Sequence, residues 1–257
     1  MGIPLKNKPL VEAILELKWQ LADQGQGMVS DPNYRVLLGR FSERVEGDYP
    51  AYERLDLAGV PDELVGHQPQ HRFRASADSW PLVQLGPGIL TVNDTETYDW
   101  DDYEPRCARA ISLFLDAYPG SATPQVQDLT LRYMDAIPFD FRQANVLEFL
   151  EKNLKAKLGL PSNLFEGMPV KAAPASTSWT ASFPLQEPEG TITVRFSTGF
   201  RNQEPALIWE TLVMSDAAQA PDLAEGFAKW LSAAHTLTDD WFFKLIEGDL
   251  LRRFKGE

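Results

Sequence analysis

One layout occurs twice in this chain, and that constrains its fold more than any single motif does. PLVEAILELKW (Pro9 to Trp19) opens the first half and VQDLTLRYMDAIPF (Val126 to Phe139) opens the second. In the first segment Ala13, Leu15 and Leu17 alternate with Ile14, Glu16 and Lys18, the period of a half-buried strand. Each opening strand is followed by a helical segment, about three short strand candidates and a further helical segment. Both halves therefore read β-α-β-β-β-α, a pattern that predicts an α+β fold with helices segregated to one face of an antiparallel sheet.

Local signals place the elements. Asp31 or Asn33 is positioned to cap a helix over YRVLLGRFSERV, with Val36, Leu37 and Phe41 at core-facing spacing. LADQGQGMVSD before it reads as a loop, and Glu46 to Gln70, rich in Pro and Gly, as the longest loop in the chain. HRFRASA, WPLVQLGP and GILTVN predict a three-stranded meander, with Gly86-Pro87-Gly88 as turn punctuation. A helix over RCARAISLFLDAY closes the first half. In the second half a helix is expected from Asn145 to Gly159, then strands WTASFPL, TITVRFSTG and PALIWETLVMS. Two further helices follow, one capped by Asp222 and one over TDDWFFKLIEGDLLRRF, with His235 between them.

Two lobes, 1–124 and 125–257, are thus expected to join edge to edge, possibly as one continuous domain, into a curved sheet backed by four helices with a pseudo-twofold axis at the seam. The layout resembles duplicated saddle architectures such as the TATA-binding-protein fold and the gyrase-inhibitor-like ligand-binding fold. That likeness concerns the fold alone. It makes the open face of the sheet, or the groove at the seam, the expected recognition surface.

Composition narrows the function classes. Hydrophobic residues make up 44% of the chain, enough for a packed core. The net charge is −13, with 19 acidic and 11 basic residues in 1–125 and 18 and 13 in 126–257. Acidity spread over both halves repels phosphate backbones, so direct nucleic-acid binding is not expected. The single cysteine, Cys107, excludes an internal disulfide and falls in a helical pattern as a buried thiol. No apolar run approaches membrane-spanning length and MGIPLKNKPL lacks the apolar core of a signal peptide, so a soluble cytoplasmic protein is the expectation.

No catalytic, cofactor or metal motif stands out. His67 and His71 have the spacing of a helical metal pair, but Pro69 lies between them. Walker, GxGxxG and GxSxG signatures are absent. Asp94, Glu96, Asp99, Asp101, Asp102 and Glu104 form an acidic run without calcium-loop spacing, read as a helix-start cluster or a protein-docking patch. Glu12 and Glu16 share one side of the first strand, and Arg132 on the second can face Glu16 across the seam. With Trp209 these residues form a candidate groove.

KPLVEAILELKW, VQLGPGILTVN, LRYMDAIPF and HTLTDDWFFKLIEGDLLRRF together resemble the sporadically distributed family of roughly 250-residue bacterial proteins described only as uncharacterised. The resemblance spans nearly the whole chain and brings no catalytic residues with it. The family's patchy distribution implies accessory genes, including defence or toxin–antitoxin settings. The leading expectation is a non-enzymatic protein that engages a protein partner through its acidic patch, as an antitoxin-like or defence-associated component. The alternative is a sensor that holds a small molecule in the groove between the lobes. The oligomeric state stays open.

Overall fold

The computed structural model describes residues 5–95, 97–120 and 124–257. Along the chain, β1 (Leu10–Trp19) is followed by a hairpin of β2 (Ala22–Gly25) and β3 (Met28–Ser30), helix α1 (Tyr34–Val45), strands β4 (Ala51–Arg54), β5 (His71–Arg74), β6 (Leu82–Gly86) and β7 (Ile89–Asp94), and helix α2 (Trp100–Ala117). The second half runs β8 (Val126–Pro138), α3 (Val146–Asn153), β9 (Ser178–Gln186), β10 (Glu189–Arg201), β11 (Glu204–Asp216), α4 (Phe227–Leu245) and α5 (Asp249–Lys255). Nine strands form one antiparallel sheet in the order β4-β5-β6-β7-β1-β8-β11-β10-β9, open at β4 and β9; β2 and β3 pair apart from it.

Alternation along the central strands decides the layering. β1 buries Ala13, Leu15, Leu17 and Trp19 on one side and holds Glu12, Ile14, Glu16 and Lys18 half-buried on the other. β8 pairs with it so that Leu131 lies opposite Leu15 and Leu129 opposite Leu17. The buried side is covered by helices. One cluster joins β1 and its neighbours to α1, α2 and α4, and a second joins Ile137, Val194, Phe196, Leu207 and Trp209 to α3 and α5. Each fully buried Leu or Phe in these clusters contributes about 1.5–3 kcal/mol relative to exposure. The opposite face of the sheet carries no helix from these clusters.

Several sequence expectations are corrected here. In α1 the buried residues are Tyr34, Leu37, Phe41 and Val45, while Val36 is 50% exposed, because the apolar stripe is one residue out of phase with it. The Asp31 carboxylate accepts from the Asn33 amide at 2.9 Å and shapes the turn before this helix. The segment read as a loop before α1 is the β2–β3 hairpin, and the long loop contains β4 and two short 3-10 turns, Asp56–Gly59 and Asp62–Leu64. Helix α3 ends at Asn153, well short of Gly159. Lys155 turns left-handed (φ 54°) and the Ala156 amide donates back to the Leu150 carbonyl. Helix α4 runs unbroken through His235: no Gly or Pro interrupts it, and the Thr238 hydroxyl donates to the Ala234 carbonyl at 3.0 Å. Five α-helices occur among the described residues, as many as the local signals mark along the chain, although the two-lobe layout placed four behind the sheet. No helix among the described residues is long and apolar enough to cross a membrane.

Candidate functional site

Where β7, β1 and β8 lie side by side, the helix-free face of the sheet dips into a groove of about 520 Å³. Its floor is made by outward-facing residues of adjacent strands, brought into line by register. Gln84 lies opposite Thr91, Thr91 opposite Glu16, and Asn93 opposite Ile14, which in turn faces Arg132. His67, Gln68 and Pro69 line it as well. They reach the floor through the Gly86-Pro87-Gly88 turn. The His67 amide donates to the Pro87 carbonyl at 2.8 Å, and its Nε2 lies 3.0 Å from the Trp19 carbonyl oxygen. A Cβ on Gly86 would sit 1.9 Å from the Gln68 carbonyl oxygen, so only glycine admits this approach.

Most of the floor is a connected polar network. Asn93 donates to Glu12 Oε1 at 2.8 Å and accepts from Thr91 at 2.6 Å. Gln84 donates to Thr91 at 3.3 Å, and its oxygen accepts from Arg72, which also donates to Glu53. Lys18 donates to Glu16 at 2.6 Å and lies 3.7 Å from Asp128. Burial raises the Glu12 carboxyl above its ordinary range, with the Asn93 hydrogen bond and the Arg132 and Arg72 charges opposing it. Burial likewise raises Asp128 against the pull of Lys18.

Arg132 stands outside this network. Its cross-strand neighbours are apolar on both sides, Ile14 on β1 and Leu212 on β11. Glu16, the partner expected from sequence, lies diagonally and is held by Lys18. The Arg132 Nε is buried with no hydrogen-bond partner among the described residues. A buried guanidinium donor is costly when unmet, and its planar fork matches a carboxylate or phosphate. Glu12, Glu16 and Arg132 thus share the groove, while Trp209 does not. Its side chain faces the helices and is fully buried, because it falls on the same side of β11 as Leu207 and Val213.

One member of the acidic run parts from the others. Asp94 is 2% exposed on the helix-facing side of β7 and is pushed up by burial. Asp99 caps α2, accepting from the Asp101 amide at 3.0 Å, and Asp102 pairs with Arg106. Asp101 is exposed and Glu104 half-exposed, while Glu96 lies outside the described residues.

A second set of polar groups lies on the helix side of β8. The Tyr98 and Tyr133 hydroxyls are 2.8 Å apart, Tyr133 is 3.0 Å from His235 Nδ1, and Trp100 stacks on His235 at 3.6 Å. Burial pushes His235 down to about 4. Asp135, opposite Trp209 in the register, is pushed up to about 8 by burial alone. Trp209 Nε1 and Thr211 Oγ1 are buried beside it without hydrogen-bond partners among the described residues.

Sequence reasoning missed His67, Gln68, Gln84, Thr91 and Asn93 as groove residues. The paired glycines of Gly86-Pro87-Gly88, which mark a close backbone approach, were the available signal. Among the described residues no group of His, Cys, Asp and Glu is arranged to hold a metal ion. No family model matches the chain, and no curated protein matches it.

Proposed function

We propose that this chain is a binding protein that holds a small polar molecule in the groove at the β1–β8 seam. The observation that carries this reading is a concave floor of about 520 Å³ to which strands of both halves contribute polar side chains. A volume of this size falls within the roughly 300–1,000 Å³ of small-molecule sites. The strand order supports a further part of the reading, an internal duplication with a saddle-like sheet. β1 and β8 are central and antiparallel, and each is flanked by the last strand of its own meander, β7 or β11. A pseudo-twofold axis would then pass beside the groove.

An acidic docking face for a protein partner has less support, since Asp94 is buried and Asp99 and Asp102 are engaged within α2. The test is native mass spectrometry of the protein purified gently from its host, beside a Glu16→Trp variant whose indole would fill the groove. A bound small mass in the wild type that the folded variant lacks supports the groove. A mass retained by the variant, or a bare wild type that no small molecule stabilises against heat, overturns it.

A further inference from the structure

The charges in the groove are balanced but not all matched. Two acids, Glu12 and Glu16, and two bases, Lys18 and Arg132, line it, in a protein whose net charge is −13. Glu16 and Lys18 satisfy each other at 2.6 Å. That leaves one cation and one carboxylate of the groove without a close ion pair among the described residues. Among the described residues Arg132 has a buried, unmet Nε, and Glu12 takes its one side-chain hydrogen bond from the neutral Asn93 amide and forms no close ion pair, with the Arg132 and Arg72 charges acting on it only at longer range. They stand diagonally on neighbouring strands, two positions apart in register, with Ile14 directly facing Arg132.

We infer that the groove takes a zwitterion of amino-acid or short-peptide type, its carboxylate on the Arg132 fork and its ammonium on Glu12. This rests on the groove reading above and adds the chemical class of ligand. The physical argument is complementarity. A guanidinium presents parallel N–H donors to a carboxylate, and a carboxylate accepts from an ammonium. A dianion such as phosphate would meet Arg132 but also the two flanking carboxylates, so like-charge repulsion selects against it. A plain amine would satisfy Glu12 and leave the guanidinium unmet. Gln84, Thr91 and Asn93 offer neutral polar contacts to the rest of the molecule without adding charge.

The experiment is saturation-transfer NMR of the intact protein with a mixture of the standard amino acids and a set of dipeptides, followed by calorimetric titration of the member that binds. The expected result is a binder whose carboxamide and N-acetyl derivatives each bind about 30-fold more weakly to the wild type, as for loss of one partner of a desolvated charge pair. Arg132→Gln should lose affinity to the same extent, Arg132→Lys less, and Glu12→Gln should lose it for the parent but not further for the N-acetyl form. The derivatives are measured on the wild type, so the inference stays testable if a variant fails to fold. Equal affinity for the parent and both derivatives, or unchanged binding to folded Arg132→Gln, overturns it. If no member of the mixture binds while the host-purified protein carries a mass expelled by Glu16→Trp, the zwitterion assignment falls and the groove reading stands. If there is neither binder nor mass, both fall.

Discussion

Arg132 and Arg195 stand on the same face of one sheet in opposite circumstances. Arg195 on β10 lies directly across from Glu210 on β11, and the two form an ion pair at 3.3 Å. Arg132 on β8 lies between Ile14 and Leu212, with its Nε buried and unmet among the described residues. The outer strands of the second half close their own charges. The seam leaves one open, beside a groove whose remaining floor is already hydrogen-bonded. The difference is one of register: a one-to-one cross-strand match satisfies a charge, and an apolar neighbour on both sides leaves it to something else.

The largest expected effect breaks the comparison directly. Arg132→Gln should weaken ligand binding about 30-fold by titration, while Arg195→Gln leaves affinity within about twofold. Without ligand, Arg132→Gln should change the melting temperature little, since among the described residues its buried Nε makes no hydrogen bond that the substitution could break. Loss of stability on that substitution would mean that Arg132 is satisfied inside the protein.

A second ionisable group, on the other face of the same strand, sharpens the contrast. Asp135 is buried on the helix side with its carboxyl pushed up to about 8 from an ordinary 3.8. The folded state therefore binds the proton more tightly than the unfolded state. Its contribution to stability is complete below the unfolded value and is lost as pH rises towards 8, at up to about 1.4 kcal/mol per pH unit. Asp135→Asn should leave stability near pH 4 little changed and raise it by a few kcal/mol at pH 8, read from urea unfolding at both values. A pH-independent difference would contradict the burial of an unpaired carboxyl. Binding at the groove should not change, because Asp135 faces the helices.

How much was legible before the fold can be read from these residues. Alternation in β1 and β8 placed Glu12, Glu16 and Arg132 on one side of their strands. Register did not follow from it: the sequence suggested Arg132 opposite Glu16, and the pairing puts it opposite Ile14. Trp209 was assigned to the groove although it shares its side of β11 with Leu207 and Val213, and Glu210 points the other way; period-two parity alone would have separated them. The wall at His67 and Gln68 comes from a tertiary approach between distant loops, so no local pattern predicts it beyond the two glycines. Four-residue strands such as β4 are too short to show a period.

That wall gives a smaller test. Gly86→Ala would place a methyl against the Gln68 carbonyl, which backbone cannot yield cheaply. It should cost about 1–3 kcal/mol by denaturant unfolding and weaken ligand binding by shifting His67 and Gln68. Unchanged affinity at that cost would show that the wall shapes the groove without touching the ligand. The smallest effect belongs to Arg195→Gln, which opens a partly exposed pair and should cost no more than about 1 kcal/mol.

The most direct measurement is an ¹H–¹⁵N spectrum of the arginine Nε–H groups, recorded while the binding amino acid or dipeptide is titrated in. The account predicts that the Arg132 resonance shifts as the site fills, while that of Arg195 stays where it was. A fixed Arg132 resonance at saturating ligand, or a shift confined to Arg195, would contradict it.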